Sequence, residues 1–91
     1  MLNLKLFIWV YEGRQRQAVL KAMGTPMTAR QILAKSHQYN KKLSRPNTND
    51  VLRGFVKRGL AVCVNPKARR GREYQLTPDG EEIRRELFKV E

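Results

Sequence analysis

The stretch from Gly59 to Gly80 limits the architectures open to this chain more than any other feature. It spells out the turn after a helix, a short strand, a basic tip, a second strand and the capped start of another helix. Leu60, Val62 and Val64 alternate with Ala61 and Cys63 in a β-rich run, which Asn65 and Pro66 break. Lys67, Ala68, Arg69, Arg70 and Gly71 form a polar tip, and Arg72 to Leu76 runs back with Tyr74 and Leu76 facing one way. Thr77 supplies an N-cap oxygen, and Pro78 takes the first helical position, where a missing N–H costs nothing. Asp79 and Glu81 suit the positive end of a helix that continues to about Lys89. A hairpin tip carrying Arg69, Arg70 and Arg72 beside a helical pair is built to hold a phosphate backbone.

Ninety-one residues accommodate one domain with a modest core, at 41% hydrophobic content. A chain this short buries a small fraction of its surface, so self-association adds useful burial and a homodimer is expected. The formal net charge of +11 implies a polyanionic partner, most simply nucleic acid. That charge is unevenly placed. From Gly13 to Arg72 the only acid is Asp50, whereas from Tyr74 onward Asp79, Glu81, Glu82, Glu86 and Glu91 outnumber the bases. The middle of the chain is therefore the anion-binding part, and the last helix is expected to face away from phosphate. A single cysteine excludes an internal disulfide and offers no cluster for zinc, as suits a reducing cytoplasm, so no metal and no cofactor are expected. Leu2 to Tyr11 is apolar but far shorter than the ~20 residues of a membrane span, and it carries no signal-peptide cleavage pattern.

Three helices precede the hairpin. Arg14 to Met23 places Ala18, Val19, Ala22 and Met23 at helical spacing, and Gly24, Thr25 and Pro26 stop it. Thr28 with Gln31 makes a capping box for a short helix ending near Ser36. A polar turn from His37 to Leu43 follows. Ser44 then caps a helix with Pro46 in its first turn, running to Arg58 before Gly59 ends it. On this helix Thr48, Val51, Leu52, Phe55 and Val56 are assigned to the inner side, and Pro46, Asn47, Asp50, Arg53, Gly54 and Lys57 to the outer. Leu4 to Tyr11 is apolar at nearly every position, so periodicity leaves strand and helical turn both open. Its aromatics suit a core or a subunit interface better than base stacking.

In that order of elements, from Arg16 to Leu87, the chain resembles the winged helix-turn-helix regulators of the MarR, ArsR and PadR type, especially small archaeal members. The carriers are Gln17-Ala18-Val19-Leu20, Met27-Thr28-Ala29-Arg30-Gln31-Ile32, the run from Val51 to Leu60, and the run from Gly71 to Gly80 with its Tyr-X-Leu-Thr-Pro-Asp-Gly junction. The resemblance implies an α+β fold: a single winged helix-turn-helix domain over residues 1–91 with a three-helix core, a two-stranded β wing and a C-terminal helix. It also implies a cytoplasmic, nucleoid-associated homodimer that binds double-stranded DNA to regulate transcription. Helix 45–58 would enter the major groove, and wing 65–72 would lie on the backbone or in the minor groove.

On this reading Arg53 and Asn47 contact bases, with Arg45 and Thr48 as secondary contacts. Lys57, Lys67, Arg69, Arg70, Arg72, Arg30, Lys41 and Lys42 hold phosphates. Segments 1–13 and 78–91 supply the dimer interface through Phe7, Ile8, Trp9, Ile83, Leu87, Phe88 and Val90. Three features depart from the family pattern: a long His37 to Leu43 connection, an acid at Asp50 on the reading face, and only Cys63 and His37 where metal-sensing members carry clusters. Cys63 reads as a small buried hydrophobe and His37 as solvated or touching phosphate. Nothing in the chain supports an enzyme: no general base, nucleophile pair or phosphate-cradling loop is present. Two other readings stay open, a sequence-neutral architectural chromatin protein and an RNA- or protein-docking winged-helix module.

Overall fold

Side-chain caps set most of the element boundaries. The computed structural model describes residues 2–90 and contains α1 (Leu4–Tyr11), α2 (Arg14–Ala22), β1 (Met27–Thr28), α3 (Ala29–Ser36), α4 (Arg45–Lys57), β2 (Ala61–Cys63), β3 (Glu73–Leu76) and α5 (Pro78–Lys89). Met1 and Glu91, the ends of the two expected dimer segments, lie outside the described residues. Reciprocal capping boxes open α3, between Thr28 and Gln31, and α4, between Ser44 and Asn47. The Thr77 hydroxyl accepts from the Gly80 amide at the start of α5. Gly59 ends α4 at a φ of 76°, where a side chain would be strained.

The apolar N-terminal stretch is a helix, capped by Asn3, whose side chain accepts from the Leu6 amide. One side of α1 joins the core through Val10, with Leu2, Leu6, Phe7 and Trp9 packed against it. The other side leaves Leu4, Ile8 and Tyr11 exposed at 62%, 46% and 50%. That two-sided apolarity is why periodicity left its conformation open.

The sheet has three strands, not the two expected, in the order β1-β3-β2 and antiparallel throughout. Met27 and Thr28 pair with Tyr74 and Glu73, so Thr28, which caps α3, also helps tie it to the wing. Ala61 opposes Leu76 and Cys63 opposes Tyr74, which puts these four on one face and leaves Val62 outward opposite Gln75.

The core is gathered around Phe55, Leu20, Met23, Ile32 and Leu60, and α5 contributes Ile83 and Leu87 to it. Both α5 residues are 1% exposed within a single chain, so they are unavailable to the dimer interface expected of them. Arg84 anchors α5 by donating from Nε and Nη2 to the Lys21 carbonyl at the end of α2, while its guanidinium lies 4.9 Å from the Phe88 ring. Trp9 packs edge-on against Phe55 with centroids 5.9 Å apart, between the guanidinium groups of Arg16 and Arg58. Its indole also lies against Gly54, so the expected outer-side glycine is where α4 sits on α1.

Candidate nucleic-acid interface

Three elements converge on one basic groove. The starts of α3 and α4 form two walls and the wing tip the third, around a volume of about 800 Å³. Arg30 comes from α3, Arg45 from α4, and Arg69, Arg70 and Arg72 from the wing, with Thr28, Asn49 and Tyr74 between them. No carboxylate is among its described lining residues. Cations gathered this closely repel one another unless an anion lies among them.

The wing tip is held chiefly by the side chain of Asn65, with a further bond from Arg72. Asn65 donates from Nδ2 to the Gly71 carbonyl at 3.1 Å and accepts at Oδ1 from the Glu73 amide at 2.7 Å, joining the two arms of the hairpin. Its backbone carbonyl accepts from the Ala68 amide, and the Ala68 carbonyl accepts from Arg72 Nε at 2.9 Å. Gly71 closes the turn at a φ of 66°. The tip that presents Arg69 and Arg70 is therefore ordered without a partner. Replacing Asn65 with alanine is expected to cost about 1–2 kcal/mol and to speed amide exchange at Glu73 selectively. Hydrogen exchange and thermal melting of the variant read both effects, and an unchanged Glu73 exchange rate would contradict the role given to Asn65.

A second groove, of about 520 Å³, adjoins the first, sharing Asn49, Arg72 and Tyr74 with it and adding Leu52, Arg53, Val56, Lys57 and Cys63. Arg45, Asn49 and Arg53 follow a four-residue spacing, so they run along one face of α4 and reach from the first groove into the second. Arg53 lies 3.7 Å from Asp50, both well exposed, which makes a weak ion pair. Cys63 is half-buried on the floor, 3.7 Å from Asn65 Oδ1. Val56, assigned to the inner side from its sequence position, is 42% exposed and lines this groove.

Two of the expected base readers are engaged elsewhere. Asn47 Oδ1 accepts from the Ser44 backbone amide at 3.4 Å, closing the capping box, and from the Ser44 hydroxyl at 2.6 Å, so its side-chain oxygen serves the helix start. Thr48 borders the first groove, but it is 1% exposed and donates its hydroxyl to the Ser44 carbonyl, which leaves it almost no surface to offer a base. Asn49 was missed among the candidates, although its place one turn after Arg45 and one before Arg53 was available as a signal.

The expected phosphate contacts also divide. Arg30, Arg69, Arg70 and Arg72 line the first groove, Lys57 the second, and Lys67 is exposed on the tip. Lys41 and Lys42 line neither; they belong to a third pocket, beside α2. His37, expected to be solvated or to meet phosphate, is exposed, and it also donates from Nε2 to the Leu43 carbonyl at 2.8 Å and pins the turn before α4. Among the described residues no group of three or more His, Cys, Asp or Glu is placed to hold a metal, and no helix is long and apolar enough to cross a membrane.

No protein-family model matches this chain, and no curated protein sequence matches it. Solved structures do share its fold. A TubR protein of type III plasmid segregation superposes with a TM-score of 0.73 at 19% identity, over 100% of this chain and 89% of that one. A MarR family transcription regulator gives 0.68 at 24% identity, over 94% of this chain and 60% of that one. TubR bound to 24 bp of tubC, from Bacillus thuringiensis serovar israelensis pBtoxis, gives 0.67 at 18% identity, over 99% and 96%. At these identities the likeness is one of fold, and it establishes the α+β winged-helix architecture.

Proposed function

We propose that this protein binds double-stranded DNA as a small dimeric regulator, with α4 in the major groove and the wing tip on the backbone or in the minor groove. One observation carries the reading: five arginines from α3, α4 and the wing line a single groove with no carboxylate among its described lining residues. Arginine forks suit phosphate oxygens, and α4 beside the groove has the width a major groove admits. The fold is shared with a protein whose structure was solved on 24 bp of tubC, which adds support. Base contacts fall to Arg45, Asn49 and Arg53, and phosphates to Arg30, Arg69, Arg70, Arg72 and Lys57.

The dimer is proposed on the exposed apolar surface that remains once Ile83 and Leu87 are withdrawn. Leu4, Ile8 and Tyr11 on α1 and Phe88 and Val90 at the end of the chain are all exposed. A second copy covering that surface would set two α4 helices on a two-fold DNA site. Sedimentation at micromolar concentration is expected to give a dimer. A stable monomer would remove the two-fold site and leave one weak half-site.

The function is tested by selection from a randomised duplex pool at near-physiological salt. Enrichment of an inverted repeat, with half-sites about one helical turn apart, is the expected result. Retention without enrichment would instead identify an architectural protein. One observation favours that second reading: Asn47 and Thr48 are committed to the start of α4, which reduces the side chains left to read bases. No retention at all would turn attention to RNA or a protein partner.

Arg53 separates selective from neutral binding. Its replacement by alanine is expected to cost about 1–3 kcal/mol and to relax preference at one base position when the selection is repeated. A uniform loss on all sequences would make it a phosphate contact.

A further inference from the structure

We infer that the basic pocket between α2 and the turn joining α3 to α4 is a second phosphate-binding site, gripping duplex backbone beyond the segment met by α4 and the wing. This rests on the DNA-binding reading above. The pocket, of about 410 Å³, is lined by Arg14, Gln17, Ala18 and Lys21 of α2 and by Tyr39, Asn40, Lys41 and Lys42 of the turn. It shares no lining residue with either groove beside the wing. Four cations line it, and no carboxylate is among its described lining residues.

The turn presents its lysines from a fixed backbone. The amides of Tyr39 and Asn40 both donate to the Ser36 carbonyl at 2.9 Å, and the Lys42 amide donates to Asn40 Oδ1 at 3.0 Å. The His37 bond to the Leu43 carbonyl and the burial of Leu43 close the far end. Behind them the Lys21 ammonium lies 5.6 Å from the Tyr39 ring and 5.8 Å from the Phe88 ring, an apolar back wall for a basic mouth. Burial there pushes the Lys21 pKa below its ordinary value, so an anion seated in front would favour the charged form.

Two considerations select a duplex backbone over a small anion. The pocket is an open cleft whose four cations come from two separate elements, α2 and the turn, which suits serial charges better than one carboxylate. It also has a lining residue close to one of the first groove: Lys42 and Arg45 are three residues apart, so their Cα atoms are within about 11 Å. A strand held at Arg45 is therefore within reach of Lys42, and Lys41 and Arg14 line the same pocket. The long turn between α3 and α4 thus has a use, which is to carry the basic surface around the start of the recognition helix.

The test compares two duplexes: a sequence retained in the selection and trimmed to its half-sites, and the same sequence lengthened by about one helical turn at each end. Wild-type protein is expected to bind the longer duplex about tenfold more tightly, with a steeper salt dependence. The variant Arg14→Gln/Lys41→Gln/Lys42→Gln is expected to lose that gain and about two to three units of salt slope per bound protomer on the longer duplex, since each lost phosphate contact removes about 0.9 unit. Its loss on the trimmed duplex is expected to stay under about twofold. Arg14→Gln alone is expected to remove about one unit per bound protomer. Equal weakening on both duplexes would place these residues in the primary interface and overturn the second site, as would no weakening on either. Wild-type protein that binds neither duplex would refute the DNA-binding reading itself, and this inference with it.

Discussion

Replacing Gly80 with alanine is expected to destabilise the protein by about 2 kcal/mol net, even though alanine is the better helix former. In an exposed helix interior the exchange favours alanine by about 1 kcal/mol. Here Gly80 lies in the first turn of α5, flat against the backbone of Leu60, and a Cβ would collide with the Leu60 carbonyl oxygen and crowd Leu76. The obstacle is backbone, and it cannot swing aside. The Leu60 carbonyl accepts from the Thr77 amide at 3.0 Å, and the Thr77 hydroxyl donates to the Gly59 carbonyl at 2.6 Å while accepting from the Gly80 amide. Overpacking against so constrained a site costs about 3 kcal/mol, the upper part of the usual range. Thermal melting is expected to show a midpoint lower by about 8–16 °C. Gly59→Ala is the control: nothing crowds that position, and its cost is the left-handed backbone alone, about 1–2 kcal/mol. A Gly80→Ala protein more stable than wild type would show that α5 can tilt away from Leu60, against the packing described.

The same junction shows what a sequence can disclose. Thr28, Ser44 and Thr77 were readable as caps because capping is a local bargain between one side chain and amides two or three residues on, and each sits at its predicted helix start. The basic tip was readable because Asn65, Pro66 and Gly71 interrupt the strands around it. What escaped depends on groups distant in the chain. β1 has only two residues, too few for periodicity, and exists because Tyr74 and Glu73 lie beside it. Ile83 and Leu87 looked like interface residues because nothing local says whether an apolar stripe meets its own core or a second copy. Asn47 and Thr48 were assigned to base reading by position near the start of α4, although the capping box that marks that start engages Asn47.

Reversing Arg69 and Arg70 to glutamate together is expected to weaken duplex binding by about 100-fold or more at near-physiological salt. It should also lower the dependence of log K on log salt by about two units for each bound protomer, because each loses two phosphate contacts of about 0.9 unit. Net charge is a confounder in a chain carrying +11. The matched control is Arg85→Glu/Lys89→Glu, which removes the same charge from exposed positions of α5 outside the lining of the described grooves and the third pocket. If the wing groove is where phosphate sits, the α5 pair weakens binding only through the screened long-range field, and its salt slope changes by a fraction of a unit. Equal losses in the two variants would mean that the overall field holds the duplex and that the arginine groove has no privileged role. Fluorescence anisotropy over a salt series decides between these outcomes. The larger loss at the wing tip, with Asn65 intact and the tip still ordered, would tie DNA binding to the hairpin between Gly59 and Gly80.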